Sequence, residues 1–148
     1  MKKLLFTFLV LFTFSVQSKE INLSCKGQER DLTSGQVDTK KSYEITFDDV
    51  KKTVPIMTVG LMEGCFQSDY YKSTKCVCSV NERDVKCEGS YVGVKGNLTG
   101  EQSFILNRYT GKLLTSRSMS GKEIDSGKDF YIGTSGELSC EVLSKRKF

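Results

Sequence analysis

The chain of 148 residues contains no histidine and no tryptophan, and it has a single proline. Without histidine, neither a Ser-His-Asp nor a Cys-His catalytic arrangement can be built. The sequence also lacks the glycine spacing of a phosphate-binding loop. Because much enzymatic catalysis depends on histidine or on a bound metal, we expect a protein that is not an enzyme and that needs neither a cofactor nor a metal.

The remaining route to catalysis is a pair of carboxylates, as in glycosidases. The candidates are Glu63, Asp69, Glu82 and Glu88. Nothing in their spacing selects a pair. Asp48 and Asp49 are adjacent at the end of a predicted strand, so their side chains point to opposite faces and a solvated turn is the expected role. A carboxylate-based hydrolase acting on an envelope glycan is therefore kept as an alternative function.

Residues 1–18 have the pattern of a cleavable secretory signal peptide. Lys2 and Lys3 precede an eleven-residue apolar run, Leu4–Phe14, and the small residue Ser18 follows shortly after it. The run is too short for a membrane-spanning helix, which needs about 20 apolar residues. We therefore expect residues 19–148 to form a single β-rich domain with a short, frayed basic C-terminus, periplasmic or secreted and without a membrane span.

Removal of the signal peptide lowers the net positive charge and reduces the number of aromatic residues available for the core. The full chain has 22 basic and 18 acidic residues, and the loss of Lys2 and Lys3 leaves 20 against 18. This balance gives no support for nucleic acid as a partner. Four of the nine phenylalanines also leave with the signal peptide, so the remaining core is modest and covalent cross-links would help it.

All six cysteines lie beyond the signal peptide: Cys25, Cys65, Cys76, Cys78, Cys87 and Cys140. An even number of cysteines in an exported chain indicates disulfide bonds. The alternative is a thiol- or metal-handling protein acting through Cys76 and Cys78, whose C-x-C spacing could offer two thiolates. Structural zinc sites more often use C-x₂₋₄-C pairs completed by histidine, which this chain lacks, so disulfides are favoured.

The register of one predicted hairpin limits which cysteines can form disulfide bonds with each other. The predicted strands Thr74–Val80 and Val85–Tyr91 flank a turn centred between Glu82 and Arg83, which places Cys78 opposite Cys87. A Cys25–Cys140 bond would join the first and last predicted strands and close the longest loop. These two bonds leave Cys65 for Cys76. Since Cys76 and Cys78 share a strand face, the exchanged pairing is also compatible with the sequence.

In all, the pattern predicts eight or nine short strands separated by polar, glycine-containing loops. Besides the two above, the predicted strands are Ile21–Cys25, Tyr43–Phe47, Val54–Leu61, Ser103–Tyr109, Lys112–Arg117, Phe130–Ile132 and Leu138–Leu143. Gln28–Lys41 is predicted as a long loop or a short helix, Gly64–Lys75 as irregular, and 134–136 as a turn. The fold class is all-β, a small antiparallel meander closed as a barrel or folded as a two-sheet sandwich, preceded by the signal-peptide helix.

Tyr70 and Tyr71 lie in the predicted loop between Cys65 and Cys76. An exposed tyrosine on a loop held by a disulfide is a favourable binding anchor, because little side-chain entropy is lost on binding. The alternative is that one of the two caps the core. We treat the pair as a candidate binding surface.

The segment Phe104–Leu113 contains Arg108-Tyr109-Thr110-Gly111-Lys112-Leu113 and follows an early Ser24-Cys25-Lys26-Gly27. It resembles small periplasmic proteins of Gram-negative bacteria in which a strand ending in Arg-x-Thr-Gly-x-Leu turns into the next strand. The resemblance implies periplasmic export and a β-rich fold, and it supplies no catalytic residues. Small periplasmic lysozyme inhibitors are similar in being exported disulfide-bonded β-barrels, and Ser120-Gly121 is the counterpart of their Ser-Gly loop, without the aromatic residue that follows it there. The leading hypothesis is a non-enzymatic binding module of the bacterial envelope, with an inhibitor-like module as one form, whose partner is a protein or an envelope polymer.

Overall fold

The computed structural model describes residues 19–55, 62, 65, 71–95, 97–123 and 126–143. The predicted signal peptide and the basic tail lie outside these ranges. Within them the chain forms seven strands: β1 (Glu20–Asp31), β2 (Val37–Asp48), β3 (Tyr71–Val80), β4 (Asp84–Gly93), β5 (Leu98–Asn107), β6 (Lys112–Lys122) and β7 (Asp129–Val142). All neighbouring strands are antiparallel, which confirms the all-β, antiparallel part of the predicted fold class.

The seven strands form one sheet in the order β2-β1-β7-β6-β5-β4-β3. Strands β3 to β7 are a meander, and β1 adds to it by pairing with β7. The predicted closure as a barrel or division into a two-sheet sandwich is wrong, because the strands that the structure describes form a single open sheet with β2 and β3 at its two ends. Met62 and Cys65, which lie between β2 and β3 in the chain, pack against the buried side chains of the sheet and cover part of them.

Two predicted interruptions are in fact strand. The segment Gln28–Lys41 is neither a loop nor a helix, since β1 continues to Asp31 and β2 begins at Val37. The turn between them is closed by Asp31, whose Oδ1 accepts hydrogen bonds from the backbone N–H groups of Thr33 and Ser34. The part of the hairpin near this turn, residues 28–41, is mostly polar, so it shows none of the apolar alternation that marks a half-buried strand.

The predicted turn at 134–136 is also wrong, because β7 runs through it without a break. Gly136 lies between β1 and β6, and a Cβ atom there would come within 2.4 Å of Thr115 Oγ1. Glycine at this position therefore serves close packing across the sheet rather than a turn.

Two further predictions fall partly outside the described residues. The predicted strand Val54–Leu61 is described only at its start, where Val54 is not in a strand, and residues 56–61 lie outside the described part of the chain. Within Gly64–Lys75, residues 71–75 belong to β3.

The alternation of side chains gives the sheet two faces, and only one of them is buried. We call the face that carries Phe104 the core face and the face that carries Ile105 the outer face. The buried core side chains are Leu23, Cys25, Ile45, Phe47, Val80, Val85, Cys87, Phe104, Leu106, Leu113 and Leu138, joined by Met62. The outer face has no covering element among the described residues.

Three disulfide bonds join all six cysteines, in the pairs Cys25–Cys140, Cys65–Cys76 and Cys78–Cys87. These are the pairs expected from the sequence. Cys78 and Cys87 are cross-strand partners in the register that the hairpin indicated, and Cys25 and Cys140 are partners between β1 and β7. The Cys65–Cys76 bond ties the connection before β3 to the sheet.

Arg108, in the turn between β5 and β6, links three distant parts of the sheet. Its guanidinium lies 2.9 Å from Asp49 Oδ1, donates a hydrogen bond to the carbonyl of Asn81 and sits 5.4 Å from the centre of the Phe47 ring. The end of β2 is thereby held against the β3–β4 and β5–β6 turns, so the open sheet is strongly curled at this end.

We expect Arg108→Ala to lower the free energy of unfolding by roughly 1–3 kcal/mol, because it removes a charged hydrogen bond, an ion pair and a cation–π contact that are largely shielded from water. Urea unfolding measures the effect. Arg83→Ala is the matched control, since Arg83 is exposed and its ion pair with Asp84 is 3.9 Å long; it should change stability by less than about 0.5 kcal/mol. Equal midpoints for the two variants would contradict the linking role of Arg108.

Candidate binding surface

The tyrosine pair is only partly described. Tyr70 lies outside the described residues. Tyr71 is the first residue of β3, and its half-buried ring packs against Tyr91, with the ring centres 5.3 Å apart. Tyr71 therefore contributes to the margin of the core face, and the binding role proposed for the pair stays a prediction.

The candidate carboxylates do not form a described catalytic pair. Glu63 and Asp69 lie outside the described residues, and Glu82 is exposed in the β3–β4 turn. Glu88 is held between two lysines, with its carboxylate 2.6 Å from Lys86 Nζ and 3.1 Å from Lys75 Nζ. Hydrogen bonds from Lys86 and then Lys75 keep the pKa of Glu88 below its ordinary value, so this group is an ionised acceptor rather than a proton donor.

Cys76 and Cys78 have no free thiolate in this structure with which to bind a metal or exchange a disulfide. Each of the two sulfurs is bonded to a different cysteine, on the core face of β3. Metal binding by a thiolate requires the deprotonated, unbonded sulfur. In the part of the chain that the structure describes, no group of three or more acidic or cysteine side chains is placed to hold a metal ion.

The outer face carries two adjoining depressions. The first, of about 310 Å³, is bounded by outward side chains of β3 to β6, which are Lys75, Glu88, Ser90, Glu101, Ser103, Ser116 and Ser118. The second, of about 400 Å³, is bounded by outward side chains of β1, β2, β6 and β7, which are Gln28, Arg30, Val37, Leu114, Ser135 and Glu137. Ser116 of the first is the cross-strand partner of Ser135 of the second, so the depressions meet between β6 and β7.

The centre of this surface is lined by hydroxyl groups. Ser103, Ser116 and Ser135 stand side by side on β5, β6 and β7, and we call these three the serine row. Ser118 lies next to the row, two residues along β6. Among the described residues, no hydrogen bond is formed by any of these four hydroxyls, whereas Ser90 is paired with Thr74 and Ser120 with Thr99. Each unpaired hydroxyl can both donate to and accept from a bound molecule.

The charges around the depressions are mostly paired. Glu137 lies 2.7 Å from Lys112 Nζ, whose hydrogen bond keeps the pKa of this carboxyl below its ordinary value. Glu88 is paired as described above. Glu101 and Arg30 border one depression each without an ion pair among the described residues, and their opposite charges leave no excess of one sign. A surface of this kind favours uncharged polar molecules over polyanions.

The sequence held one signal for this surface that the strand prediction missed. In β6, Ser116, Ser118 and Ser120 alternate with larger residues, as expected for a strand with one hydroxyl-lined face. The predicted strand ended at Arg117, whereas β6 extends to Lys122. Ser120 and Gly121, named above for the Ser-Gly resemblance, consequently lie inside β6.

A different polar pair lies on the core face. The side chains of Tyr91 and Gln102 are 3% and 4% exposed, and neither the Tyr91 hydroxyl nor Gln102 Nε2 has a hydrogen-bond partner among the described residues. Tyr91 covers Gly100, because a Cβ atom on that glycine would come within 2.2 Å of the ring. The ring is thus fixed by packing, and its hydroxyl is buried without compensation.

We expect Tyr91→Phe to leave stability unchanged or to raise it by about 1 kcal/mol, because it removes an unsatisfied buried hydroxyl and keeps the ring. Tyr43→Phe is the matched control: the Tyr43 hydroxyl donates to Glu29 Oε2 at 2.5 Å, so its loss should lower stability by about 1–2 kcal/mol. Urea unfolding of both variants measures the difference. A larger loss for Tyr91→Phe than for Tyr43→Phe would show that the Tyr91 hydroxyl is bonded in the native protein.

No helix among the described residues is long and apolar enough to cross a membrane. Comparison of the chain with models of known protein families, with curated protein sequences and with solved structures gives no match. The geometry of the outer face is therefore the principal basis for a functional assignment.

Proposed function

We propose that this protein is an exported, non-catalytic binding module of the bacterial envelope and that it binds through its outer face. The observation that carries the proposal is the pair of adjoining depressions at the centre of the outer face, which no described element covers. They are lined by hydroxyls that have no hydrogen-bond partner within the described ranges. Natural sheets that expose one face to solvent are common, but depressions of several hundred cubic ångströms with convergent polar groups are typical of binding surfaces.

The proposed location rests on two supports. Three disulfide bonds are consistent with an oxidising periplasmic or extracellular environment. The sequence of residues 1–18 has the charged, apolar and small segments of a signal peptide. Together they favour a protein that works outside the cytoplasm, where envelope polymers and envelope proteins are its available partners.

A binding role is preferred to the carboxylate hydrolase because of the state of the described acidic groups. Glycoside hydrolysis requires one carboxyl whose pKa is raised so that it can donate a proton. At the depressions, lysines instead lower the pKa of both Glu88 and Glu137. No described observation favours the hydrolase.

The test uses protein exported by its own leader and purified with its disulfides intact. Cell-wall sacculi and outer-membrane vesicles are incubated separately with the protein and sedimented, and the supernatants are assayed for released sugars and peptides. We expect saturable sedimentation with one of the two fractions and no release of products. Protein that stays in the supernatant with both fractions, or that releases products from either, would contradict the proposal.

A further inference from the structure

An exposed aromatic ring borders the depressions. Tyr131 is on the outer face of β7 and is 53% exposed. Its ring extends along the strand over Gly133, since a Cβ atom on that glycine would lie 2.7 Å from Tyr131 Oη and 3.0 Å from Cε1. Gly133 is consequently buried on a face that is otherwise open. The ring therefore lies along the sheet instead of projecting into solvent.

The ring is continuous with the hydroxyl-lined centre. Gly133 is the cross-strand partner of Ser118, and the next pair of the same two strands on the outer face is Ser116 with Ser135. An aromatic surface thus adjoins four hydroxyls that have no partners among the described residues. An apolar step, Ile105 beside Leu114, borders the opposite side of the serine row.

The extent of the surface indicates an elongated ligand. The two depressions together reach from Lys75 on β3 to Arg30 on β1, across six consecutive strands of the sheet. With neighbouring strands about 4.8 Å apart, this span is about 24 Å. A single sugar or amino acid would fill only part of it, whereas an extended chain lying across the strands would contact both depressions.

We infer that the outer face binds an extended, uncharged, β-linked glycan chain, with Tyr131 as the stacking platform and the serine row with Ser118 as hydrogen-bonding partners. This inference names the ligand class of the proposed binding function and rests on it. Sugar hydroxyls both donate and accept hydrogen bonds, as serine hydroxyls do, and the C–H face of a pyranose ring packs on an aromatic ring. Serine side chains add little apolar area, so the centre of this surface lacks the buried anchors that a protein partner requires.

Hexasaccharide titrations followed by amide NMR spectra of the exported protein test the inference. The probes are cellohexaose and chitohexaose, which are extended β-1,4-linked chains, and maltohexaose, whose α-1,4 linkage makes it coil. We expect at least one of the two extended chains to shift the amide signals of β5, β6 and β7 around Ser103, Ser116 and Tyr131, and maltohexaose to bind more weakly.

Substitutions locate the site. Tyr131→Ala should weaken binding about tenfold or more, and Tyr131→Phe, which keeps the ring, should stay within about threefold of the unsubstituted protein. Tyr109→Ala is the matched control, because Tyr109 is 78% exposed in the β5–β6 turn, away from the depressions, and its loss should leave binding unchanged. Unchanged amide spectra outside β7 would show that the Tyr131 variants are folded.

Three results would overturn the inference. The first is no shift with either extended chain at millimolar concentration, and the second is equal binding by Tyr131→Ala and the unsubstituted protein. The third is binding of maltohexaose that equals or exceeds the binding of the extended β-linked chains. If the extended chains fail but the protein still sediments with an envelope fraction, the binding function stands and only the ligand class is wrong. If the protein neither binds the chains nor sediments, both proposals fail.

Discussion

Replacement of Cys25 and Cys140 together by alanine should lower the free energy of unfolding by about 5 kcal/mol, the largest effect that we expect from a single bond in this protein. The two cysteines are 115 residues apart in sequence, and the chain-entropy model assigns about this value to a loop of that length. In the folded protein they are direct partners between β1 and β7, where β1 joins the meander. Without the bond, β1 and β2 are held to the rest of the sheet by noncovalent contacts, among them the β1–β7 hydrogen bonds, the core packing and the Arg108–Asp49 ion pair.

The Cys78–Cys87 bond provides the matched comparison. It is also a cross-strand bond on the core face, but its cysteines are only nine residues apart. The same model gives about 3 kcal/mol for its removal. Urea unfolding of the two double-alanine variants, exported and otherwise identical, measures the difference of about 2 kcal/mol. Equal losses, or a larger loss for Cys78–Cys87, would show that loop length does not decide the contribution of these bonds.

Phe104→Ala should lower the free energy of unfolding by about 3–5 kcal/mol, because it leaves a large cavity in the core. The Phe104 side chain is 1% exposed on β5 at the middle of the sheet, opposite Cys87 on β4 and Thr115 on β6. Its position puts it against the Cys78–Cys87 bond, so the cavity would also remove packing from that disulfide.

Ile105 is the control that distinguishes the two faces. It follows Phe104 in β5 but points to the outer face, where it is 38% exposed. Ile105→Ala should therefore lower the free energy of unfolding by less than about 1 kcal/mol. Thermal or urea unfolding of both variants measures the two losses of stability, which can then be compared. A cost for Ile105→Ala close to that of Phe104→Ala would mean that the outer face is covered in the native protein, and it would remove the basis for the proposed binding surface.

The cysteine framework could be predicted because it depends on local register and on chain ends. A short turn after Val80 fixed which residues of β3 and β4 face each other, and this register alone placed Cys78 opposite Cys87. The ends of the chain were expected to meet because Cys25 and Cys140 are on the first and last strands. The bond of Cys65 to Cys76 then followed by elimination.

The architecture was harder to predict because it depends on long-range pairing. Alternation in single strands indicates that one face is buried, but it does not say whether β2 will meet β3. The sequence reasoning therefore left barrel and sandwich open, and the structure shows a single open sheet. The part of the β1–β2 hairpin near its turn was missed for a different reason: residues 28–41 are mostly polar and largely exposed, so they carry no hydrophobic period.

The candidate site could not be predicted from motifs, because small hydroxyl residues carry no specific chemical signature in a sequence. Ser103, Ser116 and Ser135 come from three different strands and become neighbours only through the register of β5, β6 and β7. The same holds for the Tyr131 ring, whose position over Gly133 depends on its direction along β7. By contrast, Tyr70 and Tyr71 were predicted as a binding surface because they lie in the predicted loop between Cys65 and Cys76, and Tyr71 packs against the buried Tyr91.

The central claim, that this protein binds its partner through the outer face, is tested most directly by comparing Ser116→Arg with Ser42→Arg in the envelope sedimentation assay. Both substitutions put an arginine on the same face; Ser116 lies where the two depressions meet, whereas Ser42 lies on β2 beyond both. We predict that Ser116→Arg abolishes sedimentation with the envelope fraction and that Ser42→Arg sediments like the unsubstituted protein, with both variants equally stable to urea. Full sedimentation of a folded Ser116→Arg variant would contradict the claim.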